Sequence, residues 1–155
     1  MRKSVMVGLV AGLMAPMALI ATPTSAEKIG NEGCTPGYWK NHTDNWEEAN
    51  PGKTTLDMAG FDTSRVSGDH LLRKALRYRG GRGLAGAERI LMRAASAAWL
   101  NAAHEGLGYP YRRFNPDYLG IVESVNDAID SDDRGTMLRL ARKLDRANNL
   151  GCPLN

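Results

Sequence analysis

Two cysteines stand near opposite ends of the 155-residue chain, Cys34 and Cys152, and there are no others. Joined to each other, they close nearly the whole chain into one ring, so the fold must bring its two ends together. Whether they join depends on compartment, because thiols stay reduced in the cytosol and oxidise outside it. Arg2 and Lys3 open the chain, residues 4–20 are apolar or small, and Thr24-Ser25-Ala26 offers small residues for cleavage before Glu27. This pattern predicts a secretory signal peptide over 1–26. The protein is then exported to the periplasm, the cell surface or the medium. The apolar stretch is short of the roughly 20 residues of a membrane span. An uncleaved anchor is the alternative. No second apolar run follows, so no membrane span is expected after cleavage.

An exported chain with two cysteines predicts a Cys34–Cys152 disulfide. The chain-entropy model assigns about 4–5 kcal/mol to closing a loop on the order of 100 residues. The competing arrangement, both thiolates with His42 and His104 around a metal, matches no compact zinc spacing. No metal or cofactor is therefore expected. Removing 26 residues from 155 leaves 129, the size of one ordinary domain over 27–155. A chain of that size buries roughly two-thirds of its unfolded surface. Losing Arg2 and Lys3 takes the net charge from +3 to +1.

The segmentation is helical throughout. Thr35-Pro36 reads as an N-cap followed by proline at the first helical position, opening a short helix through His42 toward Trp46. Residues 50–70 carry Pro51-Gly52, Gly60 and Gly68 and read as a long loop. A helix is expected from Asp69, with Leu71, Leu72, Ala75, Leu76 and Tyr78 as its stripe and Gly80-Gly81 as its stop. The clearest helix covers roughly 86–104, with Ala87, Ile90, Leu91, Ala94, Ala97 and Ala98 at spacings of three and four. Its alanines suggest close packing on a neighbour. Asn115-Pro116-Asp117 starts the next helix, which carries Tyr118, Ile121, Val122, Val125, Ala128 and Ile129 on one face. Asp132 or Asp133 begins the last, striped by Met137, Leu140, Ala141, Leu144 and Ala147 and stopped by Gly151. The expected fold is all-α: a small bundle of about four main helices plus a short N-terminal one, closed by one disulfide. Asp130-Ser131-Asp132-Asp133 begins like a calcium loop, but Arg134 and Ala141 fall where ligands are needed, so it reads as a turn and cap.

The densest segment is Cys34-Thr35-Pro36-Gly37-Tyr38-Trp39-Lys40-Asn41-His42. Aromatic faces beside hydrogen-bonding groups suit sugar rings and protein interfaces. The alternative is a structural staple, with Trp39 packed in the core beside the disulfide. The candidate binding surface is Tyr38, Trp39, Lys40, His42 and Trp46, with His104 and Tyr109 adjoining. His42 and His104 each end a helix-like segment; they either cap carbonyls or act as acid–base groups. No Gly-x-Ser-x-Gly, phosphate loop or His-Glu-x-x-His occurs. Catalysis is unassigned, and His42 and His104 are the candidates for it.

Charge is segregated. Residues 65–93 hold eight basic residues against Asp69 and Glu88, a net of +6, and residues 115–133 hold six acids and no base. Attraction between neighbouring elements and solvated faces account for this most simply. A basic face for an anionic envelope polymer is the alternative. Nucleic acid is a poor partner for an exported chain of net +1.

The run 34–42 resembles the signature of a family of exported proteins and cell-surface domains. Ala97-Ala98-Trp99-Leu100-Asn101-Ala102-Ala103-His104 with Tyr109-Pro110 is similar to its middle block, where leucine usually replaces Trp99. Ile121-Val122-Glu123-Ser124-Val125-Asn126-Asp127-Ala128 resembles its third block. Asn148-Asn149-Leu150-Gly151-Cys152-Pro153-Leu154 is similar to its closing block. The basic insert at 73–82 is outside that pattern. The resemblance implies an extracellular domain, alone or attached to larger surface proteins, and no established activity. It brings Asn101, His104, Tyr109 and Asn148-Asn149 together with His42 as a shared site or as clamps that fix the loops. The expectation is an exported binding or structural module of the cell envelope, its partner an envelope glycan or another surface protein, in an undefined oligomeric state. An enzyme acting on envelope glycans and a polyanion binder using 73–93 are the alternatives.

Overall fold

The computed structural model describes residues 30–115 and 120–154; the signal peptide expected over 1–26 lies outside them. The described residues form five α-helices: α1 Pro36–Asn41, α2 Leu72–Ala75, α3 Gly83–Ala103, α4 Ile121–Asp130 and α5 Arg134–Asn148. A 3₁₀ turn, Thr43–Asn45, follows α1. No strand occurs among the described residues, only three isolated bridges. The fold class is therefore the expected one, and Cys34 and Cys152 are joined across a sequence separation of 118.

α3 is the axis. Its 21 residues touch all four other helices, most extensively α5. Ala87, Ala94, Ala95, Ala97 and Ala98 are buried on it, and small side chains let neighbouring backbones approach closely. Gly86 marks the tightest approach: a Cβ there would lie 2.1 Å from the Gly81 carbonyl oxygen. Ile121, Val122, Val125, Ala128 and Ile129 of α4 are buried, as are Met137, Ala141, Leu144 and Ala147 of α5. Both stripes follow the 3.6-residue period. The start expected for α4 at Asn115-Pro116-Asp117, and Tyr118, fall at or within the undescribed 116–119. Asp133 caps α5 by accepting the Thr136 amide at 2.6 Å and the Thr136 hydroxyl at 2.7 Å. These bonds hold its carboxyl below the ordinary range.

Two helices differ from expectation. α1 begins as predicted, with Thr35 Oγ1 accepting the Tyr38 amide at 3.1 Å and Pro36 in the first turn. It stops at Asn41, because His42 leaves helical geometry at φ −115°, ψ 64°. α2 is only four residues long, not the whole of 69–79. The Leu72 amide is given to the Thr54 carbonyl, and Leu71 bridges to Thr55. At the other end Arg77 and Tyr78 make tighter bonds three residues back, to Lys74 and Ala75.

The 50–70 loop is tied down along its length. Leu56, Ala59 and Phe61 join the core. Trp99 donates its indole N–H to the Ala59 carbonyl at 3.1 Å, and Asn126 donates to Gly60 at 3.0 Å. The strongest tie is Glu88 of α3, which is wholly buried. One oxygen, Oε1, accepts the backbone amides of Ser64, Arg65 and Val66 at 3.0–3.1 Å. The other, Oε2, accepts the Ser64 hydroxyl at 3.1 Å. A carboxylate is required because it offers acceptors only. Glu88→Gln introduces an amide donor where the Ser64 hydroxyl or the backbone amides now donate. The expected cost is about 1–3 kcal/mol of unfolding free energy, read by denaturant titration, with proteolytic nicking appearing near 62–66. Unchanged stability and unchanged resistance would contradict this role.

Candidate functional site

Successive residues on a helix are turned by about 100°, so Tyr38, Trp39 and Lys40 of α1 point to three different places. Trp39 enters the core and is wholly buried. Lys40 lies roughly opposite Tyr38. His42, one turn on from Tyr38, stacks on its ring with centroids 4.2 Å apart and planes at 14°. The signature segment therefore does not form one aromatic face.

Its inward side converges on Asn101 of α3, which is wholly buried. Asn101 Oδ1 accepts the Cys34 amide at 2.8 Å and the Trp39 indole N–H at 3.0 Å. Asn101 Nδ2 donates to the Cys34 carbonyl and to Asn148 Oδ1, both at 2.9 Å. All four hydrogen-bonding positions of the amide are thus used. Asn148, at the end of α5 and also wholly buried, accepts the Tyr109 hydroxyl at 2.8 Å and donates to the Ala94 carbonyl at 3.0 Å. Burial pushes the Tyr109 phenol well above its ordinary range, so it serves as a donor. Trp46 is buried too and gives its indole N–H to the Trp39 carbonyl at 3.0 Å. Tyr38 accepts from Asn45 at 2.6 Å and donates to the Leu154 carbonyl at 2.9 Å, holding the C-terminal segment.

The expected surface is corrected at three residues by this burial. Trp39, Trp46 and Tyr109 face inward as hydrogen-bonded anchors and have no ring face open to a ligand. His42 is exposed, with Nδ1 on the Tyr38 carbonyl at 3.0 Å. His104 follows α3. Its Nδ1 accepts the Gly106 amide at 3.0 Å, so the neutral ring carries its proton on Nε2, which lies 3.5 Å from Glu47 Oε1. Nδ1 of His104 is thus hydrogen-bonded, and Nε2 faces the Glu47 carboxylate. Its ring centroid is 5.9 Å from that of buried Trp39. Among the described residues no three His, Cys, Asp or Glu side chains gather as metal ligands do.

Lys40 leads to the concavity that these elements leave. A polar hollow of about 320 Å³ is lined by Thr35, Pro36, Gly37, Lys40, Leu76, Arg93, Asp145 and Asn149. Arg93 and Asp145 also line a second hollow of about 280 Å³, with Ile90, Ala94, Leu138, Ala141 and Arg142. The two make one groove between α1, α3 and α5. Its α3–α5 half is lined partly by apolar side chains, and its charged groups are Lys40, Arg93 and Arg142 against Asp145. Among the described residues none of these four side chains has a hydrogen-bond or ion-pair partner. Sequence reasoning placed Arg93 only at the end of the alternative 73–93 polyanion stretch and missed Arg142 and Asp145 as site residues, because helices distant in the chain bring them together and no local spacing marks them. The charge segregation is likewise left mostly open. Only Arg65–Asp132 joins the basic stretch to the acidic one among the described residues.

No protein-family model, no curated protein and no solved structure matches the chain.

The buried amide network makes a sharp stability prediction. Asn101→Ala leaves the Cys34 amide and carbonyl, the Trp39 indole and an Asn148 oxygen short of partners. Each unsatisfied buried group costs about 1–3 kcal/mol, so a total loss of roughly 3–5 kcal/mol is expected after partial relaxation. Thermal and denaturant unfolding of wild type and variant measure it. A loss below about 1 kcal/mol would show that water or repacking replaces the amide.

Proposed function

We propose that the chain is an exported module of the cell envelope that binds an acidic glycan in the groove between α1, α3 and α5. The observation that carries this reading is the set of three cations, Lys40, Arg93 and Arg142, unpartnered among the described residues and set beside the apolar Ile90, Ala94 and Leu138, with Asp145 as the one acid in the lining. A sugar ring offers an apolar face to Ile90, Ala94 and Leu138 and a polar rim to Asn149 and Asp145. Its carboxylate, sulfate or phosphate groups meet the cations through charge-assisted hydrogen bonds. Export is supported by the disulfide, and no helix of the described residues is long and apolar enough to cross a membrane. Membership in the signature-defined family is part of the proposal. It is supported by the way residues of three of its blocks, Cys34 and Trp39, Asn101 and Tyr109, and Asn148, meet in one hydrogen-bonded cluster. On this reading the signature encodes the frame, and the groove beside it encodes the ligand.

Binding is favoured over catalysis. An acid–base histidine needs a nitrogen facing a substrate; Nδ1 of His104 is hydrogen-bonded to Gly106, Nε2 faces Glu47, and the residue lines neither half of the groove. His42 lies outside the groove lining. A glycan array carrying acidic and neutral sugars tests the proposal with wild type, Lys40→Ala/Arg93→Ala and His42→Ala. Wild type and His42→Ala are expected to retain acidic glycans alike. The double variant should lose at least about 10-fold, because each charge-assisted bond is worth about 1.5–3 kcal/mol. Retention by the double variant with loss in His42→Ala would move the site to the Tyr38–His42 face. Preference for acidic peptides over glycans would make the partner a surface protein.

A further inference from the structure

Further basic residues stand near the groove on α3 and around α2. Arg93 has Arg89 as its neighbour one turn earlier on α3, about 6 Å along the axis. α2 lies beside this row: Leu76 lines the groove, and a Cβ at Gly80 would lie 2.8 Å from Ile90, another lining residue. Burial pushes the Tyr78 phenol up, and the nearby Arg89 charge opposes that shift while Glu88 adds to it.

Tyr78 belongs to a hydrogen-bonded chain of basic groups. Lys74 Nζ lies 2.7 Å from His70 Nε2, and His70 Nδ1 lies 2.5 Å from the Tyr78 hydroxyl. An ammonium only donates, so His70 Nε2 is the acceptor and the neutral ring carries its proton on Nδ1. That proton points at the Tyr78 oxygen. The Tyr78 O–H and two further N–H bonds of Lys74 are then free to turn outward. Among the described residues no carboxylate pairs with any of the three. The nearby acids are Asp69, adjacent in sequence, Asp57, whose carboxylate lies over Gly68, and Glu88, committed to the 64–66 amides. Exposed Arg73 and Arg77 flank Lys74 in sequence. A donor set that includes a cation and holds no acid fits an oxyanion.

We propose that the ligand is a polymer with repeated anionic groups, which occupies the groove with one group and crosses the α2–α3 seam to place another on Lys74 and Tyr78. His70 positions both donors. This inference rests on the groove reading and adds a second contact point, so a single acidic sugar uses only part of the surface. The polymer bridges two linked sites and gains from their effective concentration.

Heparin, a sulfated glycan polymer, and a sulfated disaccharide prepared from it serve as probes, measured by calorimetry across salt concentrations. Wild type is expected to bind the polymer more than 10-fold tighter than the disaccharide. Lys74→Ala and Tyr78→Phe should each weaken polymer binding several-fold, and Lys74→Ala should lower the salt slope by about one. The His70 ring resonances should move when polymer is added. Lys74 is exposed, and matching melting curves confirm that the variants fold. Wild-type polymer binding by Lys74→Ala and Tyr78→Phe, with loss in Lys40→Ala/Arg93→Ala, would overturn the second contact and leave the groove standing. Loss at Lys74 and Tyr78 with full binding in Lys40→Ala/Arg93→Ala would sink the groove and the continuous path with it. No wild-type binding removes both. Salt-sensitive self-association that needs these cations would assign the surface to the acidic face of a second copy.

Discussion

One buried side-chain amide allows the two ends of this chain to meet inside the fold. Cys34 is wholly buried, and burying its backbone amide and carbonyl unpaired is costly. Asn101 answers both, accepting from the amide and donating to the carbonyl. A carboxylate could only accept and leucine could do neither, so the choice of side chain follows from the chemistry. The same amide takes the Trp39 indole and reaches Asn148, which fixes the end of α5 against Ala94 of α3. The disulfide then works on ends already placed. The Gly33 amide bonds the Gly151 carbonyl at 2.9 Å, and a Cβ at Gly33 would lie 2.1 Å from the Ala147 carbonyl oxygen. Only glycine lets the N-terminal segment lie that close to α5.

This frame decides where unpaired charge collects. Turning Trp39 inward sets Lys40 toward the α3–α5 seam, where Arg93 and Arg142 make no ion pair among the described residues. The fold neutralises little of its basic stretch, since Arg65 alone reaches the acidic segment among the described residues. Charge left unpaired on a concave surface strengthens the local field. The groove and the Lys74–His70–Tyr78 chain thus both lie on the side of α3 that faces α1, α2 and α5, away from the acidic α4 segment's one tie at Arg65–Asp132.

The helical class, α3, α4 and α5 were legible because their apolar residues recur at helical spacing over many turns, and the disulfide because the chain has two cysteines behind an export-type leader. α2 was over-extended for a physical reason. Leu71, Leu72, Ala75 and Leu76 have helical spacing, yet the backbone on either side of Leu71 pairs with the 54–56 segment, the Leu72 amide bonding the Thr54 carbonyl and the His70 carbonyl accepting the Leu56 amide. The aromatic residues of the signature could be recognised as special but not oriented. The Trp39 partner lies 62 residues away and the Tyr38 partner 116 residues away. The staple and the sugar platform have the same local sequence, and only tertiary partners separate them. The groove was illegible for the same reason, with Lys40, Arg93 and Asp145 coming from three helices.

Native-state hydrogen exchange of the Cys34 amide and the Trp39 indole N–H tests the central role of Asn101 most directly. If the buried amide joins the chain ends to the helix axis, both protons exchange only through global unfolding, with the same free energy and denaturant dependence as the core amides of α3. Exchange of either proton through a local opening, while α3 stays protected, would show that the N-terminal segment frays independently and that the network does not hold the fold together.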